Sequence, residues 1–406
     1  MDADLGHRLE VVVPHANRLR TLSCRGCTVD DFSHFSNRPV PLLETFHILP
    51  HDYLYIIYPS LPTLFNRDSP SLRELVVNGY DPFPNNHFKN LSSFNLQLSS
   101  GEVGPTFWTS LLAMLRDSPR LEELFLRFSL IYDYPPFSED VPTPATLHAL
   151  RKLHLRSIPS SLTCRFLNSV DLAPNGIAMQ FTDIVPKFDW MFPPTLPPEL
   201  SLHAVTSLEI VCVSTSGFII QGTNPGVQIR VVKPADSDAA HADIFSQLVG
   251  PSSRLPLREL WIHIKRKTKY KLPPLSEFPN LEKLVVRVTT NGNPISRLLQ
   301  MLNVDGHVPC PLLSTLDLSG LVNMEYLSRV LEALSKAGCR LGKLRLGKSK
   351  DLLMEDVLKL GIRDYVEEFE FSDEDGESRG MEFPAVCMTE LGEWWEPWTT
   401  HQTCFL

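Results

Sequence analysis

A six-residue phrase with leucine at its first, fourth and sixth positions recurs along the whole chain. Its clearest copy is Leu313-Ser-Thr-Leu-Asp-Leu318. Eleven further copies, some with another apolar residue in place of a leucine, begin at Leu19, Leu43, Leu72, Leu91, Leu121, Leu150, Val205, Leu257, Leu281, Leu341 and Val366. Successive copies begin 19 to 32 residues apart, except across two gaps of 55 and 52 residues that each correspond to about two periods. This period and this phrase are typical of leucine-rich repeats.

The phrase predicts a strand that is buried on one face only. Side chains on a strand alternate between faces, so positions four and six point one way and positions three, five and seven point the other. One such strand cannot bury its leucines alone, and parallel stacking of neighbouring copies completes the core. The sequence therefore predicts an α/β fold: a leucine-rich-repeat solenoid with a curved parallel sheet, helices and loops on the convex side, and an irregular middle.

Helices are predicted in return segments where apolar residues step by three and four. Such faces occur at 106–116, 295–302, 323–337 and 353–360, and Gly338 and Gly361 stand where the last two helices should end. The two long gaps predict irregular units: a helix at 161–170, a strand at 177–181, and a hairpin-like pair of strands at 218–220 and 227–232.

These elements predict one leucine-rich-repeat domain over 1–406, with insert-like repeats at 161–235 and a C-terminal cap and tail at 372–406. Trp394, Trp395 and Trp398 lie close together in that tail. An uncapped solenoid end exposes its core, so the three tryptophans are predicted to cover it, and the alternative is a partner site.

Charge and composition exclude several classes of partner. A formal net charge of -9 argues against nucleic acid and against anionic membranes, because both select basic surfaces. The longest apolar run, 53–58, is far shorter than the roughly 20 residues of a membrane helix. The first thirty residues lack the apolar core of a signal peptide. We therefore expect a cytoplasmic or nuclear protein.

Eight cysteines without regular spacing do not suggest a disulfide framework. Cys24 and Cys27 have CxxC spacing, but Cys24 occupies an inward repeat position and no second CxxC completes a zinc site. The pair is therefore interpreted as core packing rather than as a metal or redox site.

The sequence offers no credible active site. It contains no glycine-rich phosphate loop, no HExxH and no GxSxG, and its thirteen histidines are scattered. The basic run 265–271 is one short stretch on a net-acidic chain and is predicted to be a solvated loop. We expect no enzymatic activity, no cofactor and no metal.

A binding site is better sought at positions three, five and seven, which form rows across neighbouring strands. At position three, opposite charges fall on adjacent copies and are predicted to neutralise one another, at about 0.2 to 1 kcal/mol per pair. The pairs are Glu123 with Lys152, Glu259 with Lys283, and Lys343 with Glu368. At position five, Arg345 likewise has acidic neighbours on both sides, Asp317 and Glu370.

Two large aromatic residues at position five, Phe125 and Trp261, have no charged neighbour that would explain them. Large aromatics on an exposed sheet suit interface anchors. The predicted partner-binding residues are Phe125, Arg127, His154, Arg156, Trp261 and His263. The alternative is that loops from the irregular middle cover the two aromatics.

The chain resembles the leucine-rich region of fungal F-box-type proteins, in particular those of mushroom-forming fungi. The resemblance rests on the repeat phrase, on the copy Leu150–Leu155 followed by a cysteine-containing helix and a proline-led strand, and on the strand pair after Val205. In that family an N-terminal F-box docks the Skp adaptor of a cullin-based ubiquitin ligase, and the leucine-rich region holds the protein to be modified. Residues 1–40 show no Leu-Pro-x-Glu-Leu opening, so the adaptor is expected only if an F-box lies upstream.

The resemblance implies a protein-protein interaction module that presents a client to a ubiquitin ligase and performs no catalysis. The alternative is a stand-alone leucine-rich-repeat scaffold, or a truncated paralogue, without a ligase connection. Both hypotheses require a protein client.

Overall fold

The computed structural model of the protein describes residues 11–27, 29–49, 63–67, 69–78, 86–98, 107–128, 144–158, 160–173, 177–184, 207–214, 217–223, 226–232, 257–264, 275–288, 294–302, 308–347 and 354–372. The chain divides into two compact units, Met1–Ile184 and Val185–Leu406. Both units are mixed α/β structures that contain a parallel sheet, as the sequence predicts. The single domain over 1–406 stays a prediction.

The first unit contains a sheet of seven parallel strands among its described residues, in the order β1-β2-β3-β4-β5-β7-β9. The strands are β1 (Thr21–Arg25), β2 (Thr45–Leu49), β3 (Glu74–Asn78), β4 (Ser93–Leu98), β5 (Glu123–Phe128), β7 (Lys152–Arg156) and β9 (Ala178–Ile184). Two short strands, β6 (Ala145–Leu147) and β8 (Val170–Leu172), pair separately in parallel. The helices are α1 (Val29–Ser33), α2 (Phe107–Arg116) and α3 (Ser160–Asn168), with short 3-10 helices at Val13–Arg18 and Phe65–Arg67.

The second unit orders its described strands β12-β11-β10-β13-β14-β15-β16-β17. These are β10 (Ser207–Ser214), β11 (Gly217–Thr223), β12 (Gly226–Val232), β13 (Glu259–Ile264), β14 (Lys283–Val288), β15 (Thr315–Ser319), β16 (Leu341–Gly347) and β17 (Val366–Ser372). β11 pairs antiparallel with β10 on one side and with β12 on the other. β10 pairs in parallel with β13, and the strands from β13 to β17 each pair in parallel with the next. The helices are α4 (Pro294–Leu302), α5 (Met324–Lys336) and α6 (Met354–Lys359), with 3-10 helices at Leu275–Glu277 and Ile362–Tyr365.

Each of the twelve phrases contains a strand, and within each unit neighbouring copies pair position by position. Within the first unit, for example, position three of β4 (Ser93) lies opposite position three of β5 (Glu123). In the second unit, Lys283 of β14 lies opposite Thr315 of β15 in the same way. A slip of one residue would turn every leucine of a strand to the other face, so burial on one side specifies this register. The predicted parallel pairing of the phrases is confirmed.

The leucine positions form the core. Side chains at positions four and six are buried in every described copy from β1 to β9 and from β13 to β16. In β17 the corresponding residues, Phe369 and Phe371, are only half-buried. β17 is at the end of the strand order, so it has a strand neighbour on one side only among the described residues.

A four-residue turn precedes seven of these strands, and the phrase by itself does not predict it. In each case the N–H of position one donates to the carbonyl three residues earlier, at 3.0 to 3.2 Å. The bonds join Leu43 to Val40, Leu72 to Ser69, Leu91 to Phe88, Leu121 to Ser118, Leu150 to Leu147, Leu281 to Phe278, and Leu313 to Cys310. Five of these turns carry proline at their second position, which favours the φ that a turn requires there.

A second set of backbone hydrogen bonds joins neighbouring copies. The carbonyl at position two accepts N–H groups from positions two and three of the next copy, as Arg20 does from Glu44 at 2.7 Å and Thr45 at 3.0 Å. Glu282 does the same for the N–H groups of Ser314 and Thr315, at 2.8 and 3.0 Å. These bonds extend the strand ladder toward the turn, so the backbone groups before each strand are satisfied.

The predicted return helices are confirmed as α2, α4, α5 and α6. Asn323 caps α5, because its side-chain oxygen accepts the N–H of Tyr326 at 2.9 Å. Gly338 follows that helix with φ +79°, which a glycine adopts without strain. None of the described helices is long and apolar enough to cross a bilayer.

The irregular middle also follows the predictions where the structure describes it. The helix α3 covers most of 161–170, β9 corresponds to the strand predicted at 177–181, and β11 and β12 form the predicted antiparallel hairpin. The strands β6 and β8 and the short helix α1 were not predicted. Each of the two strands has an exposed polar residue between two buried apolar ones, in Ala145-Thr-Leu147 and Val170-Asp-Leu172. This alternation is the sequence pattern from which the two strands could have been predicted.

Candidate functional site

The candidate site is the polar face of each sheet, defined as the side chains at phrase positions three, five and seven. The strand registers place equal positions opposite one another, so each position forms a row across the sheet. In the first unit Phe125, Arg127, His154 and Arg156 lie together on the adjacent strands β5 and β7. Trp261 and His263 lie on β13 in the second unit. The predicted residues thus form two groups, one in each unit.

The predicted charge pairs at position three are present. Lys343 Nζ lies 2.7 Å from Glu368 Oε1, and Lys283 Nζ lies 3.3 Å from Glu259 Oε2. Both of these pairs are partly exposed to solvent.

The third pair is looser and more buried. Lys152 Nζ lies 3.9 Å from Glu123 Oε1, and the Lys152 side chain is only 6% exposed. Burial raises the pKa of Glu123, while the Lys152 charge and a hydrogen bond from Ser93 lower it. The net effect is a raised pKa of Glu123, because the carboxylate and its partner Lys152 lie inside the polar face of the first unit, where neither group is fully hydrated.

Arg345 at position five bridges two acids, as the sequence predicts. It donates to Asp317 Oδ2 at 3.5 Å and to Glu370 Oε2 at 2.7 Å. Burial raises the pKa of Asp317, whereas the charges of Arg287 and Arg345 lower it. Hydrogen bonds from Arg345 and Lys343 lower the pKa of Glu370 to about 2. These residues form a charge cluster that extends across β14 to β17.

Phe125 is not an exposed anchor, which corrects the expectation from the sequence. It is 6% exposed, and its ring meets the His154 ring edge-on with centroids 6.2 Å apart. His154 is also buried, at 7% exposure, and its Nε2 forms a hydrogen bond with Thr182 Oγ1 at 2.9 Å. Neighbouring strands in a sheet lie about 4.8 Å apart, close enough for large side chains in one row to shield each other. This part of the face is packed.

Trp261 is buried in the same way, at 6% exposure. Lys283 Nζ lies 4.7 Å and Arg287 Cζ 5.7 Å from its ring centroids, and the His263 ring stacks parallel to it at 6.4 Å. The indole Nε1 donates to Glu259 Oε2 at 3.3 Å. Cations over the indole face are stabilised by the ring quadrupole. The tryptophan therefore has neighbours on several sides, and His263 is itself only 3% exposed.

Arg127 and Arg156, at position seven, are the two predicted site residues that stay half-exposed. They lie opposite each other on β5 and β7. Gln97 and Asn78 continue the row on β4 and β3 and are half-exposed as well. This row is the accessible border of the polar face in the first unit. The repeat phrase does not predict that the position-five residues beside this row, Phe125 and His154, are buried.

Several sequence-based predictions fall outside the described residues. They are the basic run 265–271, the C-terminal cap and tail beyond Ser372, and the three tryptophans of the predicted cap. They stay predictions. Among the described residues, no group of three or more potential metal ligands occurs.

Comparison of the whole chain with protein-family models, with curated proteins and with solved structures gave no match. The structure itself therefore supports an α/β protein with parallel sheets, and the class of partner is a matter for proposal.

Proposed function

We propose that the chain is a leucine-rich-repeat protein and that it binds a protein client through the polar face of its sheets. The observation that carries this proposal is the register: twelve copies of one phrase pair in parallel, position by position, in two units. A repeat array of this kind presents extended rows of side chains to a partner. The sequence motifs of common enzyme classes are absent, so we assign binding and not catalysis.

The accessible part of that face favours contacts at its border. Phe125 and Trp261 are buried, so the half-exposed row of Arg127 and Arg156 is the better candidate for direct contact. Arginine is enriched at interfaces because its planar guanidinium offers several donors and an apolar stem.

We further propose, from the resemblance to fungal F-box-type proteins, that the client is held for a cullin-based ubiquitin ligase. A stand-alone scaffold without ligase connection is the competing function. The native full-length protein, purified under mild salt, distinguishes the two. Recovery of a Skp-type adaptor supports the receptor, and repeated purification without adaptor supports the scaffold.

The binding face is tested separately by charge reversal. The double variant Arg127→Glu, Arg156→Glu should lower client recovery at least about tenfold, which corresponds to a loss of about 1.4 kcal/mol in binding. The matched control reverses Arg73 and Arg120, two exposed arginines that precede strands in the same unit. Equal recovery by both double variants would contradict binding at the position-seven row, whatever the outcome for the adaptor.

A further inference from the structure

The position-seven row of the first unit is a line of hydrogen-bond donors that contains no acid. The strand registers place Asn78, Gln97, Arg127, Arg156 and Thr182 side by side on β3, β4, β5, β7 and β9. All five side chains can donate a hydrogen bond, and the two arginines are permanently positive. The first four residues are half-exposed, whereas Thr182 is buried at 4% exposure. The row therefore presents donors and positive charge to solvent over four neighbouring strands.

The acids on the polar face of the described strands of this unit, Glu74 and Glu123, lie at position three, four residues before position seven. A strand rises about 3.3 Å per residue, so these acids are about 13 Å from the row, more than a Debye length of about 8 Å at physiological salt. Each also has a basic neighbour of its own. Glu74 Oε1 lies 3.0 Å from His47 Nε2, and Glu123 Oε1 lies 3.9 Å from Lys152 Nζ. Neither acid is placed to neutralise the row.

Position five of the same sheet, which lies between these two rows, carries no acid either. Its residues are Ser23, His47, Val76, Asn95, Phe125, His154 and Gln180. The half of the polar face nearer to position seven is therefore neutral or basic, although the chain as a whole has a net charge of -9.

Arg127 and Arg156 form a like-charged pair. They lie opposite each other on adjacent strands, which are about 4.8 Å apart, and like charges in this arrangement are destabilising. An anion bound between the two guanidinium groups removes that repulsion. Each planar guanidinium can hold a carboxylate through two parallel N–H···O bonds. The pair is thus better suited to a bound carboxylate than to the sheet alone.

The backbone beside this pair is strained. Ser157 follows Arg156 with φ +57°, in the left-handed region that non-glycine residues seldom adopt. The equivalent residues after β1 and β15 are Gly26 and Gly320, with φ +73° and +132°, and glycine takes positive φ without this cost. The Ser157 N–H donates to the carbonyl of Thr182 at 2.9 Å, which fixes the end of β7 against β9. Strained backbone of this kind clusters at ligand sites, where a fixed geometry is needed.

We propose that the position-seven row binds an extended acidic segment of the protein client, with acidic residues at alternate positions. The proposal rests on the proposed function, because it names the chemistry of the client at that face. In an extended segment, side chains that face the same way recur every second residue, about 6.7 Å apart. A segment laid across the strands brings one carboxylate to Arg127 and the next to Arg156, since long arginine side chains cover the difference from the strand spacing. Gln97 and Asn78 donate to carbonyl oxygens of the same segment.

The net charge of the chain makes an acidic peptide a selective probe. At -9 the molecule as a whole repels such a peptide, so its binding has to come from a local basic site. The probe is a dye-labelled peptide of alternating Glu and Ser, about eight residues long, which spans the row when extended. Its binding to the full chain is measured by fluorescence anisotropy at about 20 mM salt, where charge contacts are weakly screened.

We expect the Glu–Ser peptide to bind at least about tenfold more tightly than the same peptide with Gln in place of Glu, because carboxylates accept charge-assisted hydrogen bonds from arginine. The double variant Arg127→Gln, Arg156→Gln should lose this difference. The matched double variant Arg73→Gln, Arg120→Gln changes two exposed arginines that precede strands in the same unit and should keep it.

Equal affinity of the wild-type protein for the Glu and Gln peptides would overturn the proposal, and this comparison needs no variant to fold. Unchanged affinity of the Arg127→Gln, Arg156→Gln variant for the Glu–Ser peptide would overturn it as well. A single-stranded oligonucleotide of equal charge that binds more tightly at the same two arginines would reassign the row to nucleic acid.

The outcomes also separate this proposal from the proposed function. If client recovery requires Arg127 and Arg156 but the Glu–Ser peptide does not compete with the client, only the acidic segment is wrong. If the peptide binds at the row and no client is recovered, the acidic site stands and the proposed function fails.

Discussion

Replacing Phe125 by Ala tests whether this residue stabilises the fold by packing or anchors a partner at an interface. An exposed anchor would lose client binding and little stability, whereas a residue that is 6% exposed should lose stability first. Removing a buried phenylalanine ring costs about 3 to 5 kcal/mol, since apolar burial is lost and a cavity remains. We expect the lower end, about 3 kcal/mol, because the ring has the adjacent His154 rather than a deep apolar core on one side.

The assay is urea unfolding of the full chain, read by hydrogen exchange in peptides from β5 and β7. With a slope of about 2 kcal/mol per molar urea, a loss of 3 kcal/mol lowers the midpoint in these peptides by about 1.5 M. The control is Ser23→Ala, which changes an exposed position-five residue and should alter stability by less than about 0.5 kcal/mol. A Phe125→Ala midpoint within about 0.5 M of wild type would refute the assignment of Phe125 to packing.

Three further predictions concern the second unit. Arg345→Met removes the partner of a buried acid, so we expect a loss of about 2 kcal/mol in unfolding free energy at pH 7, and a smaller loss at lower pH, where Asp317 takes up a proton. No pH dependence of that loss would count against the cluster. The stabilisation from Glu370, whose pKa is lowered from 4.5 to about 2, is complete above pH 4.5 and disappears as the pH falls toward 2. The Glu370 side chain is 38% exposed, so Glu370→Gln should cost only about 1 kcal/mol at pH 7 and nothing near pH 2, as urea titrations at both values would report. Asn323→Ala removes the cap bond to the Tyr326 N–H and should cost about 1 kcal/mol, while Asn323→Asp should cost much less.

Much of the strand pairing was predictable, because the leucine positions of the phrase specify which residues of neighbouring strands lie opposite each other. Alternation along a strand places Leu316 and Leu318 on one face and Asp317 on the other, and the period between copies requires a return segment. The same logic predicted the ion pairs of Lys343 and Arg345, since residues at equal positions become neighbours once the strands are in register.

The tertiary structure decided how much of the polar face remains accessible. Alternation tells which face Phe125 and Trp261 occupy, but their burial depends on side chains from neighbouring strands, such as His154 and Lys283. Those two neighbours are 29 and 22 residues away in the chain, and their rotamers and contacts are set by packing rather than by the local pattern.

The amino-acid sequence by itself thus determined the strands of the twelve phrases, their parallel pairing within each unit and the charges that meet across them. It did so because burial of one leucine face admits a single register. Only the tertiary structure decided that the aromatics are packed and that Arg127 and Arg156 form the accessible row. Each of these depends on the three-dimensional distance between side chains, which a one-dimensional pattern does not contain.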